Sequence, residues 1–109
     1  MEQLEREEPR LAIERTTDTG GDPIIKLSGE LDMASAEALR EAVDGVVGEH
    51  PTRVVFELSQ LSFLDSSGIA ILILASNNVE RVEIRNPQTI VRRVIAVAGL
   101  TGILWLDPS

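Results

Sequence analysis

The stretch LSFLDSSGIAILIL, residues 61–74, places one aspartate and two serines between two apolar runs. Asp65, Ser66 and Ser67 precede Gly68, and the longest apolar run of the chain follows over residues 69–75. That run falls far short of the ~20 apolar residues that cross a membrane, and it has the length of a buried element. We interpret residues 66–78 as a short buried helix that starts at a serine cap, although periodicity alone leaves a strand open.

The residues before this stretch predict a hairpin, a helix and a central strand. Residues 10–16 alternate apolar and polar side chains, a turn-rich loop covers residues 17–23, and residues 24–29 form the second strand of an antiparallel hairpin. Residues 52–60 predict a strand buried on both faces, because Val54, Val55 and Phe56 are consecutive.

The helix between those strands is predicted from an apolar face with helical spacing. Its N-cap is Ser35, Glu37 lies in the first turn, and Gly48 or the turn before Pro51 ends it. The apolar face consists of Leu39, Ala42, Val43, Val46 and Val47.

The residues after the quoted stretch predict a fourth strand over 81–86 and a helix over 86–99. Asn86 is the predicted N-cap, Pro87 takes the first helical position, and the tail from residue 100 adds a short edge strand. The predicted core face of this helix is Ile90, Val91, Val94, Ile95 and Ala98.

This order of elements predicts an α/β fold with a mixed sheet and right-handed crossovers. Sites in such sheets gather at the carboxyl ends of strands, where helices begin. Asp32 and the Asp65-Ser66-Ser67 turn both lie at such ends.

Composition restricts the possible classes of function. The chain has 109 residues, enough for one small domain, and it has no cysteine for a disulfide, thiolate or thiol nucleophile. Its net charge of −8 argues against nucleic acid and anionic membrane as partners. The acidic N-terminus is the opposite of a signal peptide, so we expect a cytoplasmic protein with a flexible leader over residues 1–9.

The residue pattern gives little support for catalysis. The turn reads D-S-S-G rather than G-x-S-x-G, and the one histidine, His50, is predicted at the far end of the first helix. No metal-ligand spacing or phosphate loop occurs, so we predict no catalytic residue, metal, cofactor or small-molecule substrate. From the residues alone, the serines either cap a helix or accept a phosphoryl group.

Three segments carry a resemblance to a known family. LSGELD at 27–32, VVFELSQLSFLDSSGIAIL at 54–72 and NPQTIVRRVIAVAGL at 86–100 resemble the STAS domain of bacterial anti-sigma-factor antagonists. The resemblance covers residues 10–106 and implies a single STAS domain over residues 1–109. It implies a STAS-like mixed sheet of about four or five strands, with helices mainly on one face.

The resemblance also implies a function and a site. Such proteins are not enzymes: they capture an anti-sigma factor, often one with a serine-kinase fold, and so free a sigma factor. The kinase phosphorylates the hydroxyl residue after the motif aspartate, here Ser66, and a phosphatase reverses this. The expected exposed partner-binding patch comprises Asp32, Met33, Asp65, Ser66, Ser67 and Ile69. Within it, Met33 is either a contact anchor or part of the core.

An alternative from another class stays open. Small STAS domains also serve as non-catalytic scaffold subunits that dock on the ATPase of lipid-transport ABC complexes or in stress-signalling assemblies. A scaffold needs a surface but no modifiable hydroxyl, whereas this chain keeps the hydroxyl beside its acid. The segment between Gly68 and Pro87 is also several residues shorter than is usual in the family.

Overall fold

The fold was analysed in a computed structural model that describes residues 10–106; the predicted leader lies outside the described residues. The elements, in chain order, are β1 (Leu11–Thr17), β2 (Pro23–Leu31), α1 (Met33–Val47), β3 (Arg53–Leu64), α2 (Ser66–Ser76), β4 (Arg81–Arg85), α3 (Thr89–Val97) and β5 (Trp105–Leu106). The predicted order of strands and helices is confirmed, including the short edge strand at the end. No helix within residues 10–106 is both long and apolar enough to cross a membrane.

The five strands form one mixed sheet in the order β1-β2-β3-β4-β5. The first pair is antiparallel, and the other three pairs are parallel. Because each helix connects two neighbouring parallel strands in the same direction, right-handed crossovers place all three helices on one face. The buried residues of the three helices accordingly join one core cluster, which confirms the predicted fold class.

β3 is the central strand and is buried on both faces. Phe56 and Val54 belong to the core cluster under the helices, whereas Val55 is fully buried but outside that cluster. Side chains alternate across a sheet, so Val55 faces the side without helices. The strand also runs four residues beyond its predicted end, as far as Leu64, because residues 60–64 pair with the end of β2 across register shifts.

The N-cap of α1 is Asp32, so the prediction that Ser35 caps this helix is wrong. Ser35 lies at the third helical position and completes a capping box: its Oγ accepts from the backbone N–H of Asp32 at 3.0 Å. The first turn contains no acidic residue, because the earlier start leaves Glu37 beyond it. Of the predicted apolar face, Leu39, Val43 and Val46 are buried, while Ala42 and Val47 are half-buried.

α3 begins two residues later than predicted, so Asn86 is not its N-cap and Pro87 precedes the helix. Asn86 has a left-handed backbone (φ 55°), and its side-chain amide donates to Glu57 Oε2 at 2.6 Å. A contact to the neighbouring strand therefore replaces the local cap. Val91 and Ile95 are buried as predicted, but Ile90 is 54% exposed and Ala98 is also exposed, so both lie outside the core.

Candidate functional site

The loops that begin α1 and α2 lie side by side, as predicted. Leu31 and Leu64 are paired at the ends of β2 and β3, and the backbone N–H of Asp65 donates to the carbonyl oxygen of Leu31 at 3.2 Å. This hydrogen bond extends the strand pairing into the turn. It holds the Asp65-Ser66-Ser67 turn next to Asp32.

The N-cap of α2 is Asp65, so the prediction of a serine cap is wrong. Its Oδ1 accepts from the backbone N–H of Ser67 at 2.8 Å and of Gly68 at 3.4 Å. Ser66 takes the first helical position and is exposed, and its hydroxyl has no hydrogen-bond partner within residues 10–106. Since the aspartate supplies the cap, the hydroxyl of Ser66 is left for another role.

α2 packs tightly below this turn. A Cβ on Gly68 would stand 2.6 Å from Leu31 Cγ, so only a glycine lets the helix come this close to β2. Ile69 is only 8% exposed, which contradicts its predicted place in an exposed patch. Ser67 is half-buried, so Ser66 is the hydroxyl of the turn that a partner reaches most easily.

Asp32 is held by α1 and by a cation that directly precedes β1. Its Oδ1 accepts from the backbone N–H of Ala34 and of Ser35, and its Oδ2 lies 2.6 Å from Arg10 Nη1. Burial on its own raises the pKa of Asp32, but the Ser35 hydrogen bonds and the Arg10 charge outweigh it, so the pKa is lowered overall. The carboxylate is therefore charged and fixed in orientation.

Arg10 is a site residue that the sequence reading missed. Its carbonyl oxygen accepts from the backbone N–H of Glu30 at 2.8 Å, and its guanidinium also pairs with the Glu30 carboxylate at 3.1 Å. The hairpin could have revealed this contact from the sequence. Leu11 pairs with Gly29, and this register brings the oppositely charged Arg10 and Glu30 together.

Two exposed apolar side chains flank the turns. Met33 is 79% exposed, so it projects from the site as predicted and the alternative of a core position is wrong. Phe63, which the sequence reading did not single out, is 45% exposed and pairs in register with Glu30. Both offer contact area to a protein partner.

A hollow of about 370 Å³ opens between α2 and α3. It is lined by Ser66, Ile69, Arg93, Val94, Val97 and Ala98. Apart from Ser66 and Arg93, the lining is apolar, and Val97 is 82% exposed. Sequence reasoning missed this hollow because it assigned the face of α3 to the core.

The histidine lies elsewhere, as predicted. His50 lines a separate hollow with Asn77, the C-cap of α2, whereas Ser66 begins that helix. Eleven residues of helix span about 16 Å, so His50 is out of reach of the Ser66 hydroxyl. Within residues 10–106, no group of three or more His, Cys, Asp or Glu side chains has a metal-binding arrangement.

Comparison with known proteins identifies relatives over most of the chain. A family model described as "Mlab, STAS domain" matches residues 14–106. The anti-sigma-F factor antagonist RsfB of Mycobacterium tuberculosis is 39% identical over 62 residues, which are 57% of this chain and 51% of that protein. The match thus spans about half the length of this relative. An anti-sigma F factor antagonist of Lysinibacillus sphaericus is 32% identical over 82 residues, 71% of this chain and 70% of that one.

Solved structures agree with these matches. An anti-sigma factor antagonist from Mycobacterium paratuberculosis has a TM-score of 0.77 and 33% identity, covering 91% of this chain and 86% of that one. SpoIIAA in its unphosphorylated form has a TM-score of 0.76 and 26% identity, covering 90% of each chain. The phosphorylated form of the Bacillus cell fate determinant SpoIIAA has a TM-score of 0.68 and 25% identity, covering 90% of this chain and 93% of that one.

Proposed function

The chain belongs to the STAS-domain family, and from that premise we propose that it is an anti-sigma-factor antagonist switched off by phosphorylation of Ser66. It binds an anti-sigma factor through the surface around the paired turns and so releases a sigma factor. It has no catalytic role of its own. The relatives named as anti-sigma-factor antagonists support this assignment.

The observation that carries the proposal is the exposed Ser66 hydroxyl, which has no hydrogen-bond partner in the described part of the chain. Asp65 already caps α2, so helix formation does not require a hydroxyl at position 66. Asp32 and Met33 lie beside it on the neighbouring turn, one charged and fixed, the other apolar and exposed. A partner docked on these turns would cover Ser66.

The proposed partner is an anti-sigma factor with a serine-kinase fold. It transfers the γ-phosphoryl group of ATP to Ser66 Oγ, which forms the new O–P bond and loses its proton, while ADP leaves. A phosphatase hydrolyses the ester and restores the hydroxyl. The existence of a phosphorylated form of SpoIIAA supports this cycle.

Electrostatics explains how phosphorylation ends binding. A phosphoserine adds a charge of about −1.5 to −2 beside Asp65, in a chain whose net charge is already −8. Exposed at a helix N-terminus, that charge is stabilised by about 1 kcal/mol or less, so the fold survives. Covered by a partner, it must be desolvated, and a loss of only about 3 kcal/mol weakens binding roughly a hundredfold.

The test is phosphorylation followed by a binding measurement. The full chain is incubated with candidate anti-sigma kinases and ATP, and intact mass and peptide mapping locate the modification. We expect one phosphate on Ser66 and loss of the complex in size-exclusion chromatography. A phosphate on Ser67, or an unmodified chain together with normal binding by Ser66→Glu, would exclude the switch.

The matching family model is described as a STAS domain and not as an antagonist, so the alternative predicted from the sequence, a scaffold subunit that docks on a partner ATPase, stays a second candidate. A scaffold binds its partner whether or not position 66 carries a charge. Ser66→Glu separates the two functions, since it weakens binding of the antagonist and leaves binding of the scaffold unchanged.

A further inference from the structure

We propose that Arg93 on α3 binds the phosphate of phosphorylated Ser66 within the same chain. This inference rests on the proposed phosphorylation of Ser66. It adds a second element to the switch: a cation that holds the phosphoryl group over the hollow between α2 and α3. The phosphate then removes both the hydroxyl and this apolar hollow from a partner's reach.

The geometry places both groups in one small space. Ser66 and Arg93 are the two polar residues in the lining of the hollow, and the other four residues are apolar. A phosphate on Ser66 extends beyond the hydroxyl that already lines this hollow. The long, flexible Arg93 side chain reaches the same space from α3. Arg93 lies about two helical turns before Gly99, which has a left-handed backbone.

Arg93 is the cation available for this contact. Within residues 10–106 it makes no hydrogen bond or ion pair. Arg10, the other cation near the turns, is already paired with Glu30 and Asp32. The new charge also stands beside Asp65, so an unpaired cation that shares the hollow is the group most attracted to it.

The chemistry of the two groups is complementary. A guanidinium presents a rigid fork of N–H donors that matches the oxygens of a phosphate, and such charge-assisted hydrogen bonds are stronger than neutral ones. The rest of the lining is apolar, so no other charged group of the hollow competes for the phosphate.

The test measures the second pKa of the phosphoserine directly. The full chain is produced with phosphoserine incorporated at position 66 during translation, so no kinase is required, and the phosphate is titrated by phosphorus NMR. We expect Arg93→Gln to raise this pKa by about half a unit to one unit, since a nearby cation favours the doubly charged form. Arg93→Lys keeps the charge without the fork and should give a smaller rise.

Arg92→Gln is the matched control, because it removes the same charge from the next residue of the same helix but not from the lining of the hollow. Because Arg92 does not line the hollow and salt screening weakens charge interactions with distance, its effect should be less than half as large. Equal shifts in the two glutamine variants, or no shift in Arg93→Gln, would overturn the inference. The proposed function fails separately, when no kinase labels Ser66, because this titration does not depend on a kinase.

Discussion

Gly68 of α2 lies so close to Leu31 of β2 that a Cβ on the glycine would stand 2.6 Å from Leu31 Cγ. Leu31 is fully buried and pairs with Leu64 at the end of the strands that carry both turns of the site. The close approach therefore sets the position of α2, and with it the position of Ser66, relative to Asp32.

Gly68→Ala should destabilise the protein by about 1–3 kcal/mol, because the added methyl group overpacks the contact with Leu31. Gly45→Ala is the matched control: it lies within α1 with open space around its Cα, and it should stabilise the protein by about 0.5–1 kcal/mol. Urea unfolding followed by circular dichroism measures both. A stabilising Gly68→Ala would show that α2 can shift without cost.

The sequence predicted the order of elements because apolar periodicity dominates long segments such as β3 and the core face of α1. It failed at helix starts, where several capping residue types compete within a few positions. Asp32 and Ser35 form a reciprocal pair, and only the geometry shows which of them is the cap. Asn86 was misplaced because a hydrogen bond to Glu57, 29 residues away, decides its conformation.

The site was predictable in part for similar reasons. Asp32 and Asp65 lie where strand ends meet, which follows from topology alone. Ile69 and the hollow beside it were not predicted correctly, because they depend on where α2 and α3 lie on the sheet relative to each other. That placement leaves Ile90 and Ala98 exposed on a helix whose spacing suggested a broader buried face.

Asp32→Ala should weaken partner binding, and it should also lower the free energy of unfolding by about 1 kcal/mol because α1 loses its cap. Asp32→Asn separates the two effects, since an asparagine still caps the helix but no longer carries the charge that pairs with Arg10. We expect Asp32→Asn to keep most of the stability and to show the binding defect. Titration calorimetry with the partner and urea unfolding provide the two readouts, and normal binding by both variants would remove Asp32 from the site.

Met33→Ser should weaken partner binding about tenfold, the effect of losing one moderate anchor. Because the side chain is 79% exposed, stability should change by less than about 0.5 kcal/mol. Ile103→Ser removes another exposed apolar side chain, one outside the predicted patch, and serves as the control. An equal loss of affinity in the two variants would mean that the contact is not specific to the turns.

Stability should fall at acidic pH because several carboxylates have lowered pKa values, among them Asp18 and Asp32. The pKa of Asp18 is lowered mainly by the hydrogen bond from the Asp22 backbone N–H, and the charge of Arg53 lowers it further. For Asp32, burial raises the pKa, but the hydrogen bonds from Ser35 and the charge of Arg10 outweigh it. Both pKa values lie below the unfolded value of about 3.9. The two charged carboxylates therefore contribute fully to folding stability above that value. This contribution is lost as the pH falls through their folded pKa values.

Urea midpoints measured between about pH 7 and pH 2.5 test this dependence. Asp18→Asn and Asp32→Asn should each flatten the acidic limb of the curve, since each removes one titrating group. Stability that increases as the pH falls below about 4 would contradict the assignment of these ion pairs.

Ser66→Ala should bind the proposed partner and resist phosphorylation, which makes it a permanently active antagonist. Its stability should be nearly unchanged, because Asp65 supplies the cap of α2 and the serine hydroxyl makes no hydrogen bond within residues 10–106. Ser67→Ala is the matched control. It should keep phosphorylation at Ser66 and also keep the cap, since Asp65 accepts from the backbone N–H of Ser67 and not from its side chain.

Ser66→Glu should bind weakly, because it places a negative charge where a covering partner must desolvate it next to Asp65. The defect should be smaller than that of the phosphorylated chain, since a carboxylate carries a charge of −1 and a phosphoserine about −1.5 to −2.

Binding is measured for the unmodified chain, the phosphorylated chain and Ser66→Glu at two salt concentrations. Screening should reduce the defect of the charged forms at high salt. A defect in Ser66→Glu that does not respond to salt would indicate steric exclusion, and full binding by the phosphorylated chain would exclude Ser66 as the switch.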